Sequence, residues 1–133
     1  MTTPWQKRTF ADPVVYPDNT TFWQAASEGR LLLKRCTACG EVHWYPRPIC
    51  LFCGSDSTEW IPASGKGIVY SVSVTRKSGP VAYALAFVTL EEGVTMMTNI
   101  VECDLDSVRI GDAVRLVFKD SEHGQAVPMF RPI

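Results

Sequence analysis

The apolar and polar positions follow different patterns in the two parts of the chain. After residue 63, apolar residues alternate with polar ones or form short continuous runs, which is typical of strands. Five such segments are separated by turns rich in glycine: residues 68–75, 81–90, 94–101, 114–119 and 125–130. Five short antiparallel strands predict a small barrel or sandwich over residues 63–133.

The first predicted strand has an apolar and a polar face. Its apolar side chains occupy every second position: Ile68, Tyr70, Val72 and Val74. Because alternate side chains of a strand point to the same side, we expect this whole face, Tyr70 included, to lie in the core.

The second predicted strand has one face of small side chains. Three alanines alternate with three larger residues: Ala82, Ala84 and Ala86 with Tyr83, Leu85 and Phe87. Small side chains allow another backbone to approach closely. Either the chain's own helix or ribbon covers the alanine face, or the face is a flat surface for another protein. Phe87, on the apolar opposite side, is expected in the core.

Upstream of the strands the pattern is irregular. The first 17 residues hold three prolines among large apolar residues, which predicts an irregular arm. This arm packs either on the chain's own core or on a partner subunit. Asp18 or Asn19 can cap a short helix over residues 20–28, and Gly29 can end it. We therefore assign residues 1–30 to the arm and helix, 31–62 to a ribbon around the cysteines, and 63–133 to the barrel.

Composition and charge narrow the class of protein. The chain has 133 residues, of which 46% are hydrophobic and 20% charged, as in ordinary globular proteins. Its longest apolar run is far shorter than a membrane helix, and residues 1–16 contain no signal-peptide core, so we expect a cytoplasmic protein. The net charge of −1 argues against a general nucleic-acid binder. Residues 1–77 carry a small basic surplus, which either holds phosphates of a small ligand or has no role.

The cysteines give the clearest chemical signal. Four of the five form two CxxC pairs: Cys36 with Cys39, and Cys50 with Cys53. In a chain without an export signal, such pairs indicate a metal site rather than disulfides. Four thiolates predict one structural zinc ion with no open position for catalysis. Iron in a rubredoxin-like site is the main alternative, and redox cycling of the pairs is a weaker one.

No catalytic residue is predicted. Cys103 stands apart from both histidines in the sequence, so a buried inert thiol is favoured over a nucleophile in a stand-alone enzyme. His43 lies between the two CxxC pairs. We expect it to be exposed or stacked on a ring rather than to act as a fifth metal ligand.

Several segments together resemble a known family. They are Phe22-Trp23, Gly29-Arg30-Leu31, Cys36-Thr37-Ala38-Cys39-Gly40, Tyr45-Pro46-Arg47-Pro48-Ile49-Cys50, Cys53-Gly54-Ser55, Gly65-Lys66-Gly67-Ile68-Val69-Tyr70-Ser71, Thr98-Asn99-Ile100-Val101 and Val127-Pro128-Met129-Phe130. The family pairs a rubredoxin-like zinc ribbon with an OB-fold barrel, was long catalogued as a domain of unknown function, and is linked to acyl-CoA enzymes. The resemblance runs from about Tyr16 to the end, and Leu51 departs from it where relatives often have proline.

The resemblance implies a mostly β fold and a partner-dependent role. Family members form complexes with thiolase-superfamily enzymes or associate with hydratase-like subunits, in which the partner carries out thiolysis, retro-aldol cleavage or acyl transfer on coenzyme A thioesters. This chain would be a non-catalytic subunit of a hetero-oligomer that helps build the channel for the pantetheine arm. Under this hypothesis, Arg47, Arg76 and Lys77 are the candidates for binding the nucleotide phosphates of coenzyme A.

The alternative is a module that binds single-stranded nucleic acid. OB-folds and zinc ribbons both do so through stacking aromatic rings and a basic groove. Tyr70, Trp44 and Phe87 are the candidates for stacking. The slightly negative net charge, and the expected core position of Tyr70 and Phe87, argue against it.

Overall fold

The computed structural model of the chain describes residues 2–77 and 79–133. It confirms a mostly β fold with a short helix, a small sheet around the cysteines and a closed five-stranded barrel. The elements in chain order are a 3₁₀ turn (Pro17–Asn19), α1 (Thr20–Ser27), β1 (Leu32–Cys36), β2 (Val42–His43), β3 (Thr58–Pro62), β4 (Lys66–Thr75), β5 (Tyr83–Leu90), β6 (Thr95–Ile100), a second 3₁₀ turn (Leu105–Ser107), β7 (Ala113–Asp120) and β8 (Ala126–Pro132). None of the described helices has the length and hydropathy needed to cross a membrane.

Helix α1 begins after Asn19 and ends before Gly29. Asn19 occupies the N-cap position, but its side chain makes no capping bond to the helix. Instead its oxygen accepts from the Tyr16 amide at 2.7 Å, and its nitrogen donates to the Tyr45 hydroxyl. Gly29 has φ +84°, a conformation that glycine adopts readily and that closes the helix end. The apolar side chains of α1, Phe22 among them, are buried.

The strands around the cysteines form a three-stranded sheet with β1 in the centre. β2 and β3 both pair antiparallel with β1, so that Lys34 lies opposite His43 on one side and Trp60 on the other. An amide–carbonyl bond of 2.9 Å between Ala63 and Leu31 holds the end of this sheet where the chain enters the barrel.

The barrel closes in the order β4-β5-β6-β8-β7. Neighbouring strands are antiparallel except β6 and β8, which meet in a short parallel contact at Ile100 and Phe130. Ala84 and Ala86 are buried inside the barrel, so its interior covers the alanine face. Neither the ribbon nor another protein is needed to explain these small side chains.

A β-bulge in β4 changes which side chains face solvent. The register with β5 shifts between Val69 and Ser71, which leaves Tyr70 as an extra residue. Before the bulge Val69 is the inward residue, whereas Ile68 and Tyr70 are 47% and 67% exposed. Phe87, opposite Ser71, is 42% exposed. The expectation that Tyr70 lies in the core was therefore wrong, because an inserted residue reverses the two faces of a strand. The same expectation for Phe87 was wrong because Ala84 and Ala86 take the inward positions of β5.

The N-terminal arm runs along the chain's own barrel. The Trp5 amide donates to the Cys103 carbonyl at 3.0 Å, and the Glu122 amide donates to the Phe10 carbonyl at 2.9 Å. Asp12 accepts from Ser121 and His123 near the start of β8. Of the two interpretations of the arm, packing on the chain's own fold therefore holds for residues 3–12.

Candidate metal centre and surrounding surfaces

Each CxxC pair lies in a tight turn closed by the glycine that follows it. The Gly40 amide donates to the Cys36 carbonyl at 2.8 Å, and the Gly54 amide donates to the Cys50 carbonyl at 3.0 Å. Both glycines have positive φ values, +81° and +78°, which other residues adopt only with strain. The two turns therefore have the same geometry and present their sulfurs in the same way.

The four sulfurs form a compact group that fits a tetrahedral metal ion. All four Sγ atoms lie within 4.8 Å of one another. Two of the separations are 3.6 Å between Cys36 and Cys53 and 3.7 Å between Cys39 and Cys50. Sulfurs bonded to zinc at ~2.3 Å in a regular tetrahedron are separated by ~3.8 Å, so the group matches a zinc site.

Backbone amides point at the sulfurs of this group. The Cys39 amide donates to Cys36 Sγ at 3.4 Å, and the Phe52 amide donates to Cys50 Sγ at 3.3 Å. The first of these bonds is the main cause that lowers the pKa of Cys36 to about 7. Because metals bind the thiolate rather than the thiol, these amides favour the form that a metal requires. With four thiolate ligands, such a site has no open position and its role is structural.

His43 lies beneath the loop that joins the two turns. It is only 3% exposed, and neither ring nitrogen has a hydrogen-bond partner among the residues that the structure describes. Burial lowers the pKa of His43 below its usual value. The expectation of an exposed histidine was therefore wrong, because the side chain points under the loop that follows β2 and not into solvent.

The three candidate phosphate-binding residues lie on different elements. Arg47 is exposed on the loop before Cys50 and lines an open groove there. Arg76 follows β4, and its guanidinium pairs with the Asp106 carboxylate. Lys77 is the exposed residue after Arg76, and neither of these two lines the groove at Arg47.

Cys103 lies apart from the four-cysteine group. It is half-buried between β6 and the second 3₁₀ turn, against the main core. Burial raises the pKa of its thiol, which lowers the thiolate fraction and therefore its reactivity.

The outward side of strands β4, β5 and β6 exposes several large apolar side chains. We call it the outer β4–β6 face, and it comprises Lys66, Ile68, Tyr70, Ser71, Ser73, Leu85, Phe87, Thr89, Thr95, Met97 and Asn99. Its five large apolar side chains are all 39–67% exposed. Its one charged member, Lys66, lies at the start of β4. The sequence did not reveal this face, because the bulge at Tyr70 breaks the alternation that would have placed it.

A second group of exposed apolar residues lies beside the metal site. We call it the ribbon edge, and it comprises Tyr16, Ile49, Leu51 and Phe52. Tyr16, Ile49 and Leu51 line the same open groove as Arg47, so the end of the arm and the second cysteine turn share one surface.

Family models match most of the chain. The model of the ChsH2 rubredoxin-like zinc ribbon domain matches residues 23–59. The model of the ChsH2 C-terminal OB-fold domain matches residues 60–119. The two matches adjoin and divide the chain close to where the three-stranded sheet passes into the barrel.

Similar proteins match both the zinc ribbon and the barrel. A probable enoyl-CoA hydratase alpha subunit of Thermomonospora curvata is 35% identical over 124 residues, which are 90% of this chain and 39% of that relative. The chain thus spans less than half the length of this relative. A DUF35 domain-containing scaffold protein of Methanothermobacter thermautotrophicus is 41% identical over 92 residues, covering 65% of this chain and 69% of the relative. A scaffold protein of the same description from Methanocaldococcus jannaschii is 37% identical over 106 residues, covering 73% of this chain and 74% of the relative.

Solved structures share the fold over nearly the whole chain. A chain of the Ltp2-ChsH2(DUF35) aldolase is 34% identical with a TM-score of 0.80, and the match covers 91% of this chain and 98% of that one. A DUF35-family protein from Sulfolobus solfataricus has the same fold at 12% identity, with a TM-score of 0.65 over 88% of this chain and 86% of that one. Together with the four-cysteine group and the closed barrel, these matches confirm the resemblance seen in the sequence. The chain belongs to the ChsH2/DUF35 family of proteins that join a rubredoxin-like zinc ribbon to an OB-fold domain.

Proposed function

We propose that this chain is a non-catalytic subunit that binds and supports a cytoplasmic enzyme acting on acyl-CoA thioesters. The observation that carries the proposal is the outer β4–β6 face. Tyr70, Phe87 and Met97 expose apolar surface at its centre, and hydroxyl and amide side chains surround them. Protein interfaces have this arrangement, an apolar centre depleted of charge inside a polar rim.

The same face disfavours the nucleic-acid alternative. The exposure of Tyr70 and Phe87 gives that alternative its one specific support, since both rings could stack on bases. Binding to nucleic acid also requires cations along the phosphate backbone, and the outer β4–β6 face has one, Lys66, at the start of β4 and away from its apolar centre. An apolar face with a single peripheral cation therefore fits a protein better than a polyanion.

The class of partner is proposed from the relatives. The similar solved structure is described as an aldolase of Ltp2 and ChsH2, and one relative as an enoyl-CoA hydratase alpha subunit. We infer a thiolase-superfamily or hydratase-like partner that carries out thiolysis, retro-aldol cleavage or acyl transfer. The chemistry belongs to the partner, and this chain helps form the channel for the pantetheine arm in a hetero-oligomer.

Coenzyme A contacts belong to the same proposal. Arg47 and Lys77 are exposed cations that form no ion pair among the described residues, so both are available for phosphate. Arg76 would have to exchange its Asp106 partner for phosphate. We therefore rank Arg47 and Lys77 above Arg76 as phosphate ligands.

Zinc is the metal we propose for the four-cysteine group, at one ion per chain. Cys36, Cys39, Cys50 and Cys53 would hold it, and its chemistry there is structural: it ties the two cysteine turns together. The proposed organisation remains an arm and helix over residues 1–30, a zinc ribbon over 31–62 and a barrel over 63–133.

Affinity purification of the tagged chain from its native cells tests the proposal. We expect a thiolase-like or hydratase-like subunit to co-purify in fixed ratio. Tyr70→Glu should weaken this association about 30-fold, since a central interface aromatic contributes ~2 kcal/mol. Val14→Glu is the matched control, because Val14 is 66% exposed on the N-terminal arm, outside the outer β4–β6 face.

Two results would contradict the proposal. Retention of the partner by Tyr70→Glu, with unchanged circular dichroism and metal content, would mean that the outer β4–β6 face is not the interface. Recovery of RNA in place of an enzyme subunit would favour the nucleic-acid-binding function instead.

A further inference from the structure

A cavity of about 250 Å³ lies between the N-terminal arm and the barrel. The arm contributes Trp5 and Phe10 to its walls, and the barrel contributes Tyr83, Phe118 and Met129. Four of these five side chains are aromatic, so rings form much of one wall of the cavity. None of the candidate coenzyme A ligands lines it, and the proposed function assigns it no role.

Three basic residues line the same cavity. Lys7, Arg8 and Lys119 all line the cavity, against one acidic residue, Asp120. Lys119 is already paired with Glu102. Lys7 and Arg8 form no ion pair with any residue that the structure describes. The cavity therefore offers two cations without acidic partners.

The Arg8 guanidinium is positioned to bind an anion. Its guanidinium carbon lies 4.3 Å from the centre of the Tyr83 ring, and the side chain is half-buried. Stacking on a ring fixes the guanidinium plane while its N–H groups remain free to donate. A planar carboxylate can accept two parallel hydrogen bonds from such a group.

The volume limits the size of the ligand. At the ~30 Å³ that a water-sized group takes up, the cavity holds about eight non-hydrogen atoms. We propose that the cavity between the arm and the barrel binds a small organic carboxylate with an apolar body of about five carbons. The carboxylate contacts Arg8 at the mouth, and the apolar body packs against Trp5, Phe118 and Met129.

Titration of the ¹⁵N-labelled chain with hexanoate, followed by NMR, tests this site. We expect saturable shifts of the amides of residues 5–10 and 82–83, with 1-hexanol, which lacks the charge, binding at least tenfold more weakly. Arg8→Met removes the charge and keeps an apolar stem, so it should weaken hexanoate binding at least tenfold. Arg30→Met is the matched control, because Arg30 is exposed and pairs with Glu28 at the end of α1.

A second variant fills the cavity itself. Ala82 is a half-buried lining residue, so Ala82→Phe should abolish the shifts while the amide spectrum stays that of a folded chain. The proposal fails if hexanoate gives no saturable shift at roughly 10 mM, well above a dissociation constant of ~1 mM. It also fails if 1-hexanol binds as tightly as hexanoate, or if either Arg8→Met or Ala82→Phe binds hexanoate as the unmodified chain does.

Discussion

His43 is the residue whose surroundings differ most from an ordinary surface histidine. The side chain is 3% exposed, and both ring nitrogens lack a partner in the described structure. Burial favours the neutral imidazole, because a buried charge is costly. Desolvation is the largest cause that lowers the pKa of His43 in the folded chain. The Arg47 backbone acts against it, and the cations Lys34 and Arg47 act in the same direction as desolvation.

This lowered pKa makes stability depend on pH. The unfolded histidine takes up a proton near pH 6.5 and the folded one only at lower pH, so the unfolded state binds more protons below about pH 6.5. The contribution of His43 is fully present above that pH and is lost as the pH falls through the folded pKa. We expect the free energy of unfolding, measured by urea titration of the metal-loaded chain, to fall between pH 7.5 and 5.5.

The variant His43→Phe tests whether His43 causes this pH dependence of stability. Phenylalanine keeps a planar ring but has no titrating nitrogen, so the variant should lose less stability than the unmodified chain over the same pH range. An equal loss in both proteins would assign the pH dependence to another group, such as the cysteine thiolates.

At the scale of elements, strands β4 and β5 approach so closely at Gly67 that no side chain fits between them. A Cβ added at Gly67 would lie 2.5 Å from Val88 Cγ1 and 3.0 Å from the Thr89 carbonyl oxygen. The carbonyl belongs to the strand ladder and cannot move without breaking pairing. Glycine at this position therefore allows the two strands to approach where the barrel begins.

Gly67→Ala tests this close contact. We expect a loss of about 1–3 kcal/mol in the free energy of unfolding, the usual cost of an overpacked interior. Gly79→Ala is the matched control, because an added Cβ there meets no atom within 4 Å, and its effect should stay under about 0.5 kcal/mol. Equal effects of the two substitutions in a urea titration would show that backbone entropy, not the contact, sets the cost.

The elements also show how far the sequence can be interpreted. The spacing of Cys36, Cys39, Cys50 and Cys53 predicted the four-sulfur group because a two-residue gap allows few geometries. The alternation of apolar and polar residues predicted strand β4. It gave the wrong orientation for the side chains before the bulge, because the extra residue Tyr70 turns Ile68 outward and Val69 inward. No glycine marks this bulge, so local sequence holds no signal for it. The burial of His43 was equally hidden, since it depends on a loop that folds over β2.

At the scale of the whole molecule, the zinc ribbon and the barrel share one core. A single buried cluster includes Phe22 of α1, Leu33 of β1 and Phe130 of β8. The Gln125 side chain adds a 3.1 Å bond to the Trp23 carbonyl. Val42, Trp44 and Tyr45 of the ribbon pack against this core. The two cysteine turns, residues 36–41 and 49–57, are joined to the rest by the ends of the strand pairings and a few turn bonds, and the four sulfurs lie within them. The metal is therefore the main constraint on these turns and only a distant one on the barrel.

Metal removal should unfold these two regions to different extents. Structural zinc contributes on the order of 10 kcal/mol in isolated fingers, more than the local contacts of the two cysteine turns can replace. The barrel closes without a free edge and needs no metal, so its strands should persist.

Hydrogen exchange with and without a strong chelator measures this difference. We expect amides of residues 36–41 and 49–57 to lose protection, and inward strand amides such as those of Val88 and Met96 to keep most of theirs. Cys36→Ser should reproduce the chelated pattern and bind less than 0.1 zinc per chain, whereas Cys103→Ser should keep full zinc, because Cys103 lies outside the sulfur group. Loss of protection throughout the barrel would instead show that the shared core makes the chain one cooperative unit. Unchanged protection everywhere would show that the four cysteines hold no structural metal.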